Sequence, residues 1–271
     1  MATSQLIHRF RWSFSLGLLL LFQSCQVSAP RPYSGAKLVW SDEFATEGLP
    51  DADKWDYEVG DWGWGNNELQ NYTREQPANA RVEAGRLLIE AHRSEAGDYT
   101  SARLVTRGKQ TWTYGYIEAR AKLPGGRGTW PAIWMLGENI KEVGWPRCGE
   151  IDIMEHVGFE PDSIWGSIHC TTFNHVQGTQ KTAGLALPNS EQAFHVYAID
   201  WNTQRIHFLV DGEIYYTFWK VPNATVAEWP FDAPHFLLLN LAVGGNWGGQ
   251  RGVDETIWPQ RMEVDWVRVW Q

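Results

Sequence analysis

From residue 37 onward, strand-like runs are separated by glycine, proline and asparagine, and residues 114–122 alternate apolar and polar side chains with the period of two of a strand that buries one face. Residues 205–210 and 213–218 flank Asp211-Gly212, a strong signal for a two-residue hairpin turn. Helical periodicity is nearly absent, and one short helix is predicted around residues 190–193. Many strands of similar spacing predict an all-β fold, in which two antiparallel sheets pack as a β-sandwich of the jelly-roll kind. The other predicted strands are residues 86–91, 114–122, 165–170, 194–201, 235–243 and 263–270.

One predicted strand carries three acidic residues within an apolar run, Glu150-Ile151-Asp152-Ile153-Met154-Glu155. Acids are depleted from strands, and on this strand Glu150 and Asp152 share one face while the isoleucines point to the other. In an unbroken strand Glu155 would point into the core. A β-bulge at Ile153-Met154 would turn it back beside the other two acids. The alternative is a solvated edge strand whose acids have no special role.

Tryptophan is far above ordinary usage, with 17 among 271 residues. Indole rings pack in cores, but their flat apolar faces and polar edges also suit pyranose rings. Trp130 and Trp134 have the same strand parity and precede the acid run, and Pro131 between them indicates an edge strand or a strand start. We therefore expect an aromatic floor beside the acids, in a cleft that binds carbohydrate.

The first 25 residues have the composition of an export signal. Basic residues at positions 8, 9 and 11 precede an apolar run, residues 12–22, that is too short to span a membrane. The run ends at Cys25 and resembles a bacterial lipoprotein signal, in which this cysteine is lipidated and becomes the mature N-terminus. Ordinary secretion with cleavage near Ala29 is the alternative. Both interpretations place the protein outside the cytoplasm, and lipidation implies the outer membrane or cell surface.

The remaining chain divides into a short tether, residues 26–36, and one domain, residues 37–271. The net charge of −9 argues against nucleic acid and anionic lipid surfaces as partners. We expect a monomer whose only membrane contact is the N-terminal lipid.

Cys148 and Cys170 are the cysteines of this domain, too few for a disulfide-stapled scaffold. The acid strand and residues 165–170 predict a hairpin, for which two registers fit. In one register Cys148 stands opposite Cys170, so that a disulfide can form and His169 turns to the core. In the other, His169 shares the face of Glu150 and the two cysteines point apart.

Several blocks of the sequence, in this order, resemble glycoside hydrolase family 16. The six-residue acid run is similar to that of its bacterial laminarinases, which are endo-acting β-1,3-glucanases, whereas the lichenase and xyloglucan form has one residue fewer. The resemblance covers residues 37–271 and implies a concanavalin-like jelly roll with an open cleft across the concave sheet. Besides the acid run, the blocks are Trp40-Ser41-Asp42-Glu43-Phe44, Trp64-Gly65-Asn66-Asn67-Glu68-Leu69-Gln70, residues 128–136, Gly144-Trp145-Pro146-Arg147 and Gly244-Gly245-Asn246-Trp247.

The resemblance implies a catalytic role for each acid and no cofactor in catalysis. Enzymes of this family retain the anomeric configuration, which requires two carboxyl groups close together. Glu150 would be the nucleophile, Glu155 the general acid and base, and Asp152 a hydrogen-bonding neighbour that tunes both proton affinities.

The resemblance also implies binding residues and a metal site. It favours the register that places His169 in the cleft, with free thiols at Cys148 and Cys170. A structural Ca²⁺ is common in the family, and its ligands here would be oxygens of Glu43, Gly85 and Asp265. The implied substrate-binding residues are Asn67, Arg103, Trp130, Trp134, Trp145, Arg147, His169, Asn246 and Trp247.

Two alternatives to a laminarinase remain open. The same fold and mechanism could act on mixed-linkage β-1,3-1,4-glucan or on an algal galactan, although an arginine-rich cleft for a sulfated galactan is not evident. The other alternative is a non-catalytic glycan-binding jelly roll, which needs cleft tryptophans but not three acids at this spacing.

Overall fold

The computed structural model describes Met1, Tyr33 and residues 35–271. Apart from Met1, the predicted export signal lies outside the described residues, and so does Cys25. Most of the tether lies outside them as well. Among the described residues, no helix is long and apolar enough to cross a membrane.

The domain is built almost entirely from β-strands. Its one α-helix, α1 (Ile140–Val143), is a single turn, and two short 3-10 turns cover Gly63–Gly65 and His175–Gln177. The strands are β1 (Leu38–Asp42), β2 (Asp56–Tyr57), β3 (Gln70–Tyr72), β4 (Ala80–Glu83), β5 (Arg86–Arg93), β6 (Tyr99–Ser101), β7 (Arg103–Val105), β8 (Gly115–Lys122), β9 (Thr129–Gly137), β10 (Glu150–Glu155), β11 (Ser163–His169), β12 (Lys181–Ala186), β13 (His195–Trp201), β14 (Arg205–Val210), β15 (Glu213–Trp219), β16 (His235–Val243) and β17 (Gln260–Trp270).

The strands form two sheets, which confirms the predicted all-β sandwich. The seven-stranded sheet has the order β12-β11-β10-β9-β16-β7-β2, and the acid run is its interior strand β10. The ten-stranded sheet runs β15-β14-β13-β8-β17-β5-β6-β3, with β1 added to β17 and β4 to β5. Neighbours are antiparallel throughout both sheets except for the short β3–β6 pair. The seven-stranded sheet carries the cleft on its outward face.

Alternating side chains of both sheets meet in one large core. Ile117 and Ala119 of β8 and Ile133 and Met135 of β9 all belong to this core and are buried. Several tryptophans also belong to this core, so the tryptophan excess serves packing as well as the cleft. The core tryptophans are Trp55, Trp112, Trp201 and Trp229.

Most predicted strands lie within a few residues of the observed ones, and the Asp211-Gly212 hairpin is confirmed. Both residues of that turn have positive φ, 51° and 87°, as a tight β-hairpin requires. The helix predicted around residues 190–193 is wrong. That segment forms turns closed by hydrogen bonds to Leu187 and Asn189.

Candidate active site

A β-bulge in β10 brings the three acids to one face of the sheet. Asp152 pairs with Trp134 of β9 and Glu155 pairs with Ala132, so Ile153 and Met154 together stand opposite one residue. Both bulged side chains are buried in the core. The register with β11 shifts at the same place. The predicted bulge is therefore confirmed, and all three acids line the cleft.

Indole and imidazole groups hold the carboxyl groups in place. Trp145 Nε1 donates to Glu150 Oε2 at 3.0 Å, and Trp130 Nε1 donates to Glu155 Oε1 at 3.1 Å. His169 Nε2 lies 3.3 Å from Asp152 Oδ2 and 3.7 Å from Glu150 Oε1. Glu150 and Glu155 therefore each accept an indole hydrogen bond that orients them before any substrate arrives, whereas Asp152 lies beside the His169 imidazole without a hydrogen bond to Oδ2.

Burial is the main cause of the raised pKa values of the three acids. Burial, followed by the negative charge of Asp152, raises the pKa of Glu150 to about 8, while His169 and the Trp145 N–H act in the opposite direction. The same two causes, in the same order, raise the pKa of Glu155 to about 8. Burial raises the pKa of Asp152 well above its usual range. Three carboxyl groups at this spacing therefore share protons, and the cleft can hold a neutral acid beside an ionised one.

The register of β10 and β11 resolves the choice between a disulfide and a cleft histidine. Glu150 pairs with His169, so His169 faces the cleft as the family resemblance implied. Cys148 and Cys170 are both buried free thiols and pack in separate apolar clusters.

The cleft has a volume of about 1030 Å³ and crosses the strands from β7 to β12. Most of the predicted substrate-binding residues line it together with the acids: Arg103, Trp130, Trp134, Trp145, His169, Asn246 and Trp247.

Two predicted binding residues do not line the cleft. Asn67 is exposed and donates to Asn246 Oδ1 at 2.8 Å, because its left-handed backbone, φ 56°, turns it towards the neighbouring loop. It therefore supports the cleft rim. Arg147 is exposed on the loop before β10. Of that loop, only Trp145 reaches the cleft.

Arg103 lies in the cleft, where two indole rings and a carboxylate hold its guanidinium. Its guanidinium lies between the rings of Trp64 and Trp134, 4.6 and 4.7 Å from their centroids. Its Nε donates to Glu58 Oε2 at 2.7 Å, and Arg107 binds the other oxygen of Glu58. The arginine thus spaces two indole rings, a role that its residue type alone does not indicate.

The cleft also contains residues that the sequence analysis did not select. Strand parity could have found Trp165, since it pairs directly with Glu155. Asn240 accepts from Trp134 Nε1 at 2.7 Å and fixes that ring, but the two lie 106 positions apart. The other unselected residues include Trp62, Trp64, Glu68 and His175.

The proposed calcium ligands lie on elements that meet in the ten-stranded sheet, where β17 pairs with both β1 and β5. Their carboxylates are already engaged by arginines. Glu43 receives two hydrogen bonds from Arg268, and Asp265 pairs with Arg120. The side chains alone therefore do not form a calcium site, and backbone oxygens would have to supply most ligands.

Comparison with known proteins identifies the family. The family model described as glycosyl hydrolases family 16 matches residues 61–268. The chain belongs to this family. A beta-glucanase from Rhodothermus marinus is 54% identical over 243 residues, covering 87% of this chain and 85% of that protein. Membership confirms the resemblance seen in the sequence.

Solved structures of family 16 have the same fold. The laminarinase from Rhodothermus marinus superposes with a TM-score of 0.84 at 53% identity, over 87% of this chain and 97% of that one. SCLam, a non-specific endo-beta-1,3(4)-glucanase, superposes with a TM-score of 0.84 at 46% identity, over 88% and 92% of the two chains.

Proposed function

We propose that the protein is a retaining endo-β-1,3-glucanase that hydrolyses β-glucan by double displacement. The observation that carries the proposal is the β10 bulge, which places Glu150 and Glu155 on the cleft floor with Asp152 between them. A glycan-binding module would need the indole rings of the cleft but not this arrangement of carboxyl groups.

In the first step, ionised Glu150 attacks the anomeric carbon while neutral Glu155 gives its proton to the glycosidic oxygen. The carbon–oxygen bond to the leaving sugar breaks as the glycosyl ester of Glu150 forms. In the second step, Glu155, now ionised, takes a proton from water. That water attacks the anomeric carbon and releases Glu150 as a carboxylate, so both acids regain their starting states.

The neighbouring groups match these changes of charge. The Trp145 N–H and His169 stabilise the ionised form of Glu150 before attack. Glu150 and Glu155 repel each other when both are ionised. Once Glu150 is an ester its charge is gone, so Glu155 can carry a negative charge at lower cost and serve as the base.

The substrate assignment rests on the family and on the form of the cleft. The similar structures are named a laminarinase and a non-specific endo-beta-1,3(4)-glucanase. A cleft that crosses the sheet and is lined by indole rings suits the interior of a long, uncharged glucan. Mixed-linkage glucan is the second candidate, because the enzyme described as non-specific has the same fold.

Product analysis on laminarin, curdlan and mixed-linkage glucan tests activity and specificity together. We expect β-1,3-oligosaccharides of several lengths from laminarin, with the β anomer formed first by NMR. Early accumulation of the α anomer would exclude the retaining mechanism. Release of no reducing sugar from any glucan would favour the binding-module alternative.

Azide rescue separates the roles of the two glutamates. With an aryl glycoside that needs no acid, Glu155→Ala should still form the glycosyl ester, and azide should then give the β-glycosyl azide. Glu150→Ala should give the α-azide by direct displacement. Glu142→Ala, in exposed helix α1, is the control and should retain wild-type rates. An α-azide from Glu155→Ala together with a β-azide from Glu150→Ala would show that Glu155 is the nucleophile and Glu150 the general acid and base.

We also propose that the chain is exported, lipidated at Cys25 and monomeric. The support is the basic start, the short apolar run and the cysteine at its end. A clickable fatty acid should label the wild type in its native host but not Cys25→Ser, which should also leave the membrane fraction. Labelling of neither protein would favour ordinary secretion near Ala29. Light scattering should give the mass of one chain.

A structural calcium ion is a further proposal, supported by the family resemblance alone. If Asp265 and backbone oxygens bind it, adding Ca²⁺ after chelation should raise the Tm of the wild type and raise that of Asp265→Asn less. Equal melting temperatures with Ca²⁺ and with chelator would show that the protein binds no stabilising calcium ion.

A further inference from the structure

A stack of aromatic rings and one guanidinium extends the cleft floor beyond β7. Trp134 lies against one face of Arg103 and Trp64 against the other, 4.7 and 4.6 Å from the guanidinium carbon. Trp62 then packs on Trp64 with ring centroids 4.1 Å apart and planes inclined by 37°. Trp62 is the outer member of the stack and is 65% exposed. One face of its ring is covered and the other is open at the cleft mouth.

The loop that carries these rings is strained in a way that fixes their position. Trp64 has φ 51° between Gly63 and Gly65, whose φ values are 76° and 80°. A bulky residue in this left-handed region is uncommon, and such strain concentrates at functional positions. The conformation therefore serves to hold the Trp64 ring against Arg103.

Gly60 anchors both indole rings. Trp64 Nε1 donates to the Gly60 carbonyl at 3.1 Å. A Cβ atom at Gly60 would lie 2.9 Å from Trp62 Cδ1, so only glycine lets the Trp62 ring lie this close to the backbone. Gly60 in turn exchanges two backbone hydrogen bonds with Tyr72. The backbone against which the exposed ring lies is thus hydrogen-bonded to β3.

From these contacts we infer that Trp62 forms a distal glucosyl subsite, at which the open indole face stacks on a pyranose ring remote from the scissile bond. This deepens the proposed function and rests on it. β7, which carries Arg103, lies three strands from β10, or roughly 14 Å at the usual strand spacing. A glucan must therefore extend several sugars beyond the acids on this side before it reaches Trp62. The site selects for chain length.

Binding of β-1,3-gluco-oligosaccharides of increasing length tests the inference. Affinities are measured by calorimetry in the Glu150→Gln background, which leaves the oligosaccharides intact. Trp62→Ala should weaken binding of the long oligosaccharides by about tenfold, the value expected for losing one stacked ring contact. Binding of the shortest oligosaccharides should change less than twofold. Trp62→Phe, which keeps an aromatic face, should restore most of the lost affinity.

Trp219→Ala is the matched control, because Trp219 is 59% exposed on β15, in the other sheet. Its loss should leave every affinity unchanged. An equal effect of Trp62→Ala at all lengths, or no effect at any length, would overturn the subsite. If the wild type hydrolyses no glucan the proposed function fails, whereas a length-independent result with an active wild type overturns the subsite alone.

Discussion

Replacement of Glu150 by glutamine should stabilise the protein, and only within a defined pH range. The pKa of Glu150 rises from 4.5 to about 8 on folding, chiefly through burial and then through Asp152. Between these two values the folded protein holds a proton that the unfolded chain has lost. The free energy of unfolding therefore falls as pH rises through this range, and Glu150→Gln removes that loss.

The size of the effect follows from the pKa shift. At pH 7 the solution is about 2.5 units above the unfolded pKa, and at about 1.4 kcal/mol per unit the ceiling is roughly 3 kcal/mol. Asp152 and Glu155 titrate together with Glu150, so changes in their own protonation reduce the free-energy change below this ceiling. We expect a gain of about 2 kcal/mol, or roughly 4–8 °C in Tm for a domain of this size. Near pH 4, where Glu150 is protonated in both states, the gain should vanish.

Calorimetric unfolding of wild type and Glu150→Gln from pH 4 to pH 8 measures this directly. Glu142→Gln, on exposed helix α1, is the matched control for loss of one acidic residue. The two variants should diverge steadily as pH rises. A gain of equal size at both ends of the range, or none at pH 7, would show that burial of the Glu150 carboxyl group does not destabilise the fold. Loss of hydrolysis in the stabilised variant would illustrate a stability–activity trade-off.

Three further predictions test the site and its framework. Trp130→Phe removes the indole N–H that lowers the pKa of Glu155. The basic limb of the pH profile of kcat/KM on laminarin should therefore move to higher pH. A limb that stays in place or moves to lower pH would show that this hydrogen bond does not control the pKa of Glu155. Deletion of Met154 removes the bulge and leaves Glu150, Asp152 and Glu155 at alternate positions of a regular strand, so Glu155 should stay on the cleft face and hydrolysis should persist; loss of hydrolysis in a folded variant would show that the bulge itself is needed to position Glu155. Cys148 and Cys170 should each take up an alkylating reagent in denaturant without a reductant, and a mass showing no uptake would indicate a disulfide.

The sequence by itself determined the features that depend on strand parity and local turns. Side chains alternate with a period of two on any strand, so the pattern alone predicted the sandwich, the shared face of Trp130 and Trp134, and the need for a β-bulge before Glu155. The hairpin at Asp211-Gly212 follows in the same way, because a two-residue turn demands positive φ. These predictions involve residues within a few positions of each other.

Tertiary structure alone decided which distant side chains meet. Asn67 bonds to Asn246, which lies 179 positions away, and Arg103 is held by Glu58 and two indole rings from separate parts of the chain. The two registers of β11 fitted the local pattern equally well; the family resemblance favoured the one with His169 in the cleft, and pairing within the complete sheet places His169 beside Glu150. Local patterns fix the face of a strand, but the partner across a sheet or loop depends on topology and packing over the whole chain.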